Sequence, residues 1–291
     1  MIGVKVVSQR YDIAIVGSGP AGLSAAINAR IRNKNIIVFG SKDLSAKLTI
    51  APKINNYLGL PDITGRELKR EFEKHIKAMD IHINHERINS IYAMGDYFAL
   101  MVNEKLYEAK TIILATGVEY TKALKGEEKF LGRGVGYCAT CDAPLYKGKI
   151  VTIVGYNKDA EEDANYVSEL AAKTYYVPMY KNIGNLNISI EIVADRPVEI
   201  AGDDFAHTLI LKNKVIKTDG IFILKDSVPP GQLVPGLEIE EGHIKVNRNM
   251  LTNIEGCYAA GDCIGKPYQY IKAAGEGQIA ALNAVSYLDG K

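Results

Sequence analysis

Apolar and polar positions fall into blocks along this chain, and the period within the blocks switches between that of strands and that of helices. Residues 11–16 form a short apolar run ending in glycines, an Ala-rich stretch covers 21–32, and Ile36-Ile37-Val38-Phe39 is a second apolar run. That order predicts strand, tight turn, helix, strand. Over 66–79 the apolar Leu68, Phe72, Ile76 and Met79 recur at steps of three and four, as on one face of a helix. Residues 97–102 and 111–114 read as further strands.

From Lys149 the plan repeats without its glycines: strand at 150–154, helix at 159–172, strand at 174–177. Short strands and turns follow over 182–219, then the apolar run 220–224 and the loop Val228-Pro229-Pro230-Gly231. Gly256-Cys257-Tyr258-Ala259-Ala260-Gly261-Asp262 reads as a strand entering a glycine turn, with an Ala-rich helix over 273–288 behind it. This last stretch is expected to return to the first α/β unit. The chain then crosses between units near 118–123 and near 241–246, and two adjacent crossings make a natural hinge.

A length of 291 residues suits two domains, each with its own core. The net charge of +1 provides no global field for nucleic acid or an anionic membrane. Residues 1–10 lack the apolar core and cleavage site of a signal peptide, and no eighteen apolar residues run together. A soluble, cytoplasmic protein is expected. In such a chain a close Cys pair is more often catalytic or metal-binding than a structural staple.

Gly17-Ser18-Gly19-Pro20-Ala21-Gly22 lies between a predicted strand and a predicted helix. In this pattern the first glycine permits the turn, the second lets the backbone approach a pyrophosphate, and the third allows close helix packing. The acidic residue that usually follows some twenty positions on is missing, and Phe39-Gly40-Ser41 stands there. Ala115-Thr116-Gly117 and Gly261-Asp262 add two strand-end turns suited to a large dinucleotide. Asp262 can accept a hydrogen bond from a ribityl hydroxyl, or it is a turn or N-cap aspartate.

Cys138-Ala139-Thr140-Cys141-Asp142 is the other motif with chemistry in it. Two intervening residues allow the sulfurs to close a disulfide, and a helix beginning there favours the thiolate. Asp142 is placed to act as a general acid or base, or else to cap the helix. Zinc needs four ligands, and the other cysteines, Cys257 and Cys263, sit in a predicted strand and turn, where they read as small buried residues. His75, His82, His85, His207 and His243 show no ligand spacing, so no metal is expected. The glycine turn and the Cys pair together suggest a flavoprotein that moves electrons to or from a dithiol.

Gly17 to Gly22, the stretch Ile54-Asn55-Asn56-Tyr57-Leu58-Gly59, Ala115-Thr116-Gly117, Cys138 to Asp142 and Gly261-Asp262 together resemble the low-molecular-weight thioredoxin reductase family over nearly the whole chain. The Cys motif is specific to that family, whereas the glycine motifs are shared with many flavoproteins. The resemblance implies an α/β fold of two Rossmann-like domains of the three-layer ββα, glutathione-reductase-like kind. FAD would lie in a discontinuous domain, 1–117 and 246–291, and the redox cysteines in a central domain, 118–245, usually within a homodimer. It implies that Cys141 faces the flavin, that Cys138 attacks the disulfide of thioredoxin, and that Asp142 is the acid. The implied FAD contacts are Gly17, Ser18, Gly19, Pro20, Ala21, Gly22, Phe39, Gly40, Leu48, Asn56, Ile88, Ala115, Thr116, Gly117, Gly261, Asp262, Tyr268 and Gln269. Tyr268 stands where the family usually has Arg, which would place an aromatic ring by the isoalloxazine.

The larger departure lies in the second unit. Family members that use NADPH carry a second GxGxxA there and, one strand later, an arginine-rich 2′-phosphate clamp. This chain has Gly155-Tyr156-Asn157-Lys158-Asp159-Ala160 and Val177-Pro178-Met179-Tyr180-Lys181-Asn182 instead. The Asn157 side chain would crowd the pyrophosphate, and Lys181 alone cannot offer arginine's bidentate fork. Glu161, Glu162 and Asp163 add negative charge beside the site. The pattern resembles the ferredoxin-dependent flavin thioredoxin reductases of anaerobic bacteria, with an NAD(P)H-dependent reductase and an FAD-dependent dithiol oxidase as the alternatives. A ferredoxin partner implies a basic surface near the flavin, for which Lys42, Lys47, Lys53 and Lys266 are the candidates.

Overall fold

The computed structural model of the chain describes residues 5–41, 44–45, 48–49, 51–103, 105–118, 123–225 and 230–290. It divides into two units, Met1–Val118 with Pro229–Lys291, and Glu119–Val228. Both are α/β and Rossmann-like.

The first unit opens with β1 (Lys5–Val16), helix α1 (Pro20–Ile31) and β2 (Ile36–Phe39). Ile13, Ala14 and Ile15 are wholly buried, as expected of a parallel strand covered on both faces. Proline at the first turn of α1 suits a position whose N–H has no intrahelical acceptor. Helix α2 (Gly65–Ala78) begins at a reciprocal capping box between Thr64 and Glu67 and buries Leu68 and Ile76. Next come β3 (Ile83–Asn84), β4 (Ile88–Ala93), β5 (Phe98–Val102) and β6 (Lys105–Leu114), giving the sheet order β3-β2-β1-β6-β5-β4. β4, β5 and the first half of β6 are antiparallel, whereas β1 and β6 run parallel. β6 starts well ahead of the apolar run at 111–114 because its first half is the last strand of this meander, where polar and buried positions mix.

The second unit contains β7 (Val135–Gly136), the short helix α3 (Ala139–Asp142), β8 (Ile150–Gly155), helix α4 (Ala160–Leu170), β9 (Lys173–Pro178) and β10 (Ile190–Ile192). β11 (Pro197–Gly202), β12 (Ala206–Leu211) and β13 (Val215–Lys217) form an antiparallel sheet. With β14 (Gly220–Leu224) the parallel sheet reads β10-β9-β8-β14-β7.

The chain returns to the first unit ahead of residue 246, where the sequence reading began the return. The helical turn Pro230–Leu233 and the hairpin β15 (Ile239–Glu240) and β16 (His243–Ile244) belong to the first unit. β17 (Cys257–Ala259) then adds in parallel to the end of β6, at Cys257 opposite Ile112. Helix α5 (Tyr270–Asp289) closes the chain. Ala21, Ala25, Ala26 and Ala29 of α1 share one buried core with Ala273, Ala280, Ala281 and Ala284 of α5. Small residues on both helices let the backbones approach closely enough to exclude water. No described helix is long and apolar enough to cross a membrane.

A dinucleotide cradle and a two-cysteine turn

Gly17 leaves β1 at φ +121°, and a Cβ on it would stand 2.1 Å from the carbonyl oxygen of Ala115. A Cβ on Gly22 would stand 1.8 Å from the oxygen of Gly17. Both positions are closed to any side chain. Gly19 differs, because no heavy atom lies within 4 Å of where its Cβ would be. The space over Gly19 is open, and the N-terminus of α1 that it caps carries no side-chain cap. Unpaired N–H groups at a helix start, beside a bare backbone, fit a pyrophosphate.

The segments after β6, β2 and β17 meet this turn. Ala115, Thr116 and Gly117 follow β6, and Ala115 N–H donates to Val16 O at 2.7 Å. The buried Ser18 donates its hydroxyl to Leu44 O at 2.8 Å, and a Cβ on Gly40 would touch the Ser18 side chain, so the segment after β2 is held against the glycine turn. Gly261 packs on Ala21, and Asp262 starts a 3-10 turn. That turn is gripped by α5: Gly261 N–H donates to Glu276 at 3.1 Å, and Lys272 donates to Gly265 O at 2.7 Å while pairing with Glu276. Asn56 donates to Gln269 at 2.6 Å across 213 positions of sequence, and Tyr268 shares a 2.7 Å hydrogen bond with His243. Phe39, Leu48 and Ile88 have their side chains buried, Phe39 edge-on to Tyr107 and Leu48 against Ile54 and Leu68. Of the lysines considered for a basic surface, Lys53 is paired with Asp62 and Lys266 is exposed; Lys42 and Lys47 lie outside the described residues.

In the second unit Cys138 follows β7 directly and is disulfide-bonded, with Thr140 Oγ1 3.6 Å from its sulfur. Cys141 lies in α3, with its side chain outside the described part of the structure. Asp142 makes no capping hydrogen bond, so the capping alternative is not what the fold uses. Its carboxyl is half-buried, and burial raises its pKa above the ordinary aspartate value. One carboxyl oxygen lies over Gly136, 3.1 Å from where a Cβ there would be. Cys257 and Cys263 are free and buried, and burial pushes their thiols up to about 12 and about 11. No described group of three or more His, Cys, Asp or Glu is placed to hold a metal ion.

The turn after β8 is occupied by the chain itself. Asn157 Oδ1 accepts from Ala160 N–H at 3.1 Å, filling the start of α4 where a phosphate would otherwise accept. Glu161 is buried and accepts hydrogen bonds from Tyr180 and from Gly184 N–H, the latter at 2.8 Å. Burial is the largest single influence and works to raise its pKa, but these two donors together with the charge of Lys158 and the Asn185 N–H outweigh it and hold the carboxyl below the usual glutamate range. Tyr176 extends the network at 3.0 Å from Tyr180, and its hydroxyl lies 2.2 Å from where a Cβ on Gly155 would be. The sequence marks Glu161 as negative charge beside the site, and the fold adds its tyrosine partners; a polar residue on the buried face of α4 is the signal for them in the sequence. The fold also adds the His243–Tyr268 and Lys272–Glu276 pairs, unread in the sequence.

An open dinucleotide cradle in one Rossmann-like unit and a two-cysteine turn in the other define a flavoprotein that handles disulfides. The chain belongs to the pyridine nucleotide-disulphide oxidoreductase family, whose profile matches residues 11–277, and within it to the thioredoxin reductases. It is 31% identical to the thioredoxin reductase of Ureaplasma parvum, over 96% of this chain and 97% of that one. Identity to the thioredoxin reductase of Aquifex aeolicus is also 31%, over 97% and 94%. A solved ferredoxin-flavin thioredoxin reductase from Clostridium acetobutylicum is 66% identical and superposes with a TM-score of 0.95, covering 97% of this chain and 99% of that one. FAD is the cofactor of this enzyme, and the space over Gly19 fits it.

Proposed function

We propose that this chain reduces the disulfide of thioredoxin, drawing electrons from reduced ferredoxin through FAD and then through a Cys138–Cys141 pair. The observation that carries the choice of donor is the self-filled turn after β8, where Asn157 caps α4 and the Tyr176–Tyr180–Glu161 network takes the space beside it. Similarity to the Clostridium ferredoxin-flavin enzyme supports the same reading.

In this reading Gly17, Gly19 and Gly22 with the start of α1 receive the pyrophosphate of FAD, Asp262 a ribityl hydroxyl, and Asn56, Gln269 and Tyr268 the ring end. Bound FAD supplies a carrier that takes electrons singly and releases them in pairs, as a one-electron donor and a two-electron disulfide require. Cys141 takes the flavin-facing position. Asp142, kept protonated to higher pH by burial, delivers a proton to the Cys141 thiolate. The Cys138 thiolate attacks the thioredoxin disulfide to form a mixed disulfide and releases one partner thiolate; Cys141, giving up its proton, resolves it and releases the other, so that two electrons from two ferredoxins and two protons drawn from water, one by way of Asp142, leave with the partner. From a ferredoxin near about −400 mV to thioredoxin near about −270 mV the transfer is downhill by roughly 6 kcal/mol. Resemblance to the family supports a homodimer working in the cytoplasm, and sedimentation tests the dimer.

Anaerobic spectroscopy of the yellow protein tests the donor. Bleaching by reduced ferredoxin, followed by reduction of thioredoxin and with no response to NADPH or NADH, is the expected result. Rapid bleaching by NADPH would overturn it, and peroxide formation from a dithiol with no ferredoxin response would favour the oxidase.

A further inference from the structure

β14 is apolar along its whole length and wholly buried, yet the residue that follows it is Lys225, 5% exposed. Its Nζ lies 2.9 Å from Oε1 of Glu127, which is itself 1% exposed. The same oxygen accepts the hydroxyl of Tyr137 at 2.7 Å, and the other carboxylate oxygen accepts Leu124 N–H at 2.7 Å. One carboxylate thus ties together the turn starting at Leu124, the residue after β7 and the residue after β14. β7 and β14 are neighbours in the sheet, with Gly136 opposite Phe222, so the cluster stands at the carboxyl ends of adjacent strands. Tyr137 is the residue directly before Cys138.

A buried ion pair is a weak device for stability, because desolvation offsets much of the attraction and apolar residues of like volume do as well. What it provides is a fixed geometry, since the fully hydrogen-bonded arrangement has few competitors. We propose that Glu127, held by Lys225, is a positioning residue for Cys138: through Tyr137 it pins the strand end that carries the sulfur and so sets how strongly the dithiol closes to its disulfide. This deepens the reading of Cys138 as half of the redox pair, and rests on it. Closing a disulfide within one chain follows the effective concentration of one thiol at the other. A pinned residue keeps the sulfurs within bonding reach, whereas a released one samples open positions and favours the dithiol.

The full-length, FAD-loaded protein is equilibrated anaerobically with mixtures of reduced and oxidised dithiothreitol, quenched by alkylation, and the peptide bearing Cys138 and Cys141 is weighed. Tyr137→Phe should move the equilibrium constant toward the dithiol by at least about tenfold, the low end of what one hydrogen bond to a charged group is worth. Lys225→Met should move it about tenfold or more. Tyr180→Phe removes a comparable phenol-to-carboxylate bond elsewhere in the same unit, and should lower the unfolding temperature with the equilibrium within twofold of the parent. A normal parent titration with Tyr137→Phe unmoved, or moved no more than Tyr180→Phe, overturns the positioning role alone. A parent peptide that never interconverts overturns the redox reading of Cys138 and the positioning role with it.

Discussion

Asp142→Asn separates the chemistry of the two-cysteine turn from its architecture. The substitution keeps size and shape, and because the carboxyl makes no cap bond, it removes no capping interaction. General acid catalysis by a placed side chain contributes about 10²–10⁴-fold. Asp142 is half-buried, so water can partly substitute as proton donor, and the loss in turnover with thioredoxin should lie near the lower end, about 10²-fold. Burial raises this carboxyl, so between the unfolded and folded pKa values the folded state holds more protons than the unfolded one. Stability therefore falls as pH rises through that interval, and the penalty is complete above it. Asparagine carries no such penalty, so the variant should unfold at a higher temperature than the parent near pH 7 and show no advantage at pH 3. The assays are steady-state thioredoxin reduction and thermal unfolding at both pH values. A variant that turns over within threefold of the parent, or that is less stable near pH 7, would refute the assignment of Asp142 as a buried proton donor.

Gly19→Ala should fold with an unfolding temperature close to that of the parent apoprotein, since its added methyl meets no protein atom; it should nonetheless retain FAD at least about tenfold more weakly, because the methyl enters the pyrophosphate space. Flavin titration of the apoprotein measures this, and parental affinity would mean that the space over Gly19 is not the pyrophosphate site. Cys257 and Cys263, buried with thiols pushed up to about 12 and about 11, should resist alkylation in the folded protein near pH 7.5. Labelling of either at the rate of reduced Cys138, followed by mass spectrometry, would make that cysteine a candidate for the redox chemistry.

Local pattern made much of this molecule legible. The runs at 11–16, 36–39, 150–154 and 220–224 appear as β1, β2, β8 and β14, and the 66–79 periodicity as α2, because burial on one or both faces imposes its period on the sequence. β3, β4 and the hairpin β15–β16 went unread, being short or half-exposed and held by their neighbours more than by their own composition. Residues 230–245 pack with the first unit, although no local signal marks the change of partner.

The sequence by itself determined the family, the glycine turn and the cysteine pair, because each is a requirement at fixed short spacing: a backbone that must turn, a helix that must pack, two sulfurs that must meet. Tertiary structure alone decided which side chains complete these motifs. Asn56 meets Gln269, Ser18 meets Leu44, and Lys225 meets a glutamate 98 positions away, each pair brought together by strand order and not by spacing. It also decided that the second nucleotide turn is filled and not merely altered. An asparagine in a glycine's place reads as a loss in sequence, but its carboxamide oxygen on Ala160 N–H, with Glu161 locked under Tyr180, is a set of hydrogen bonds that a phosphate would have to displace.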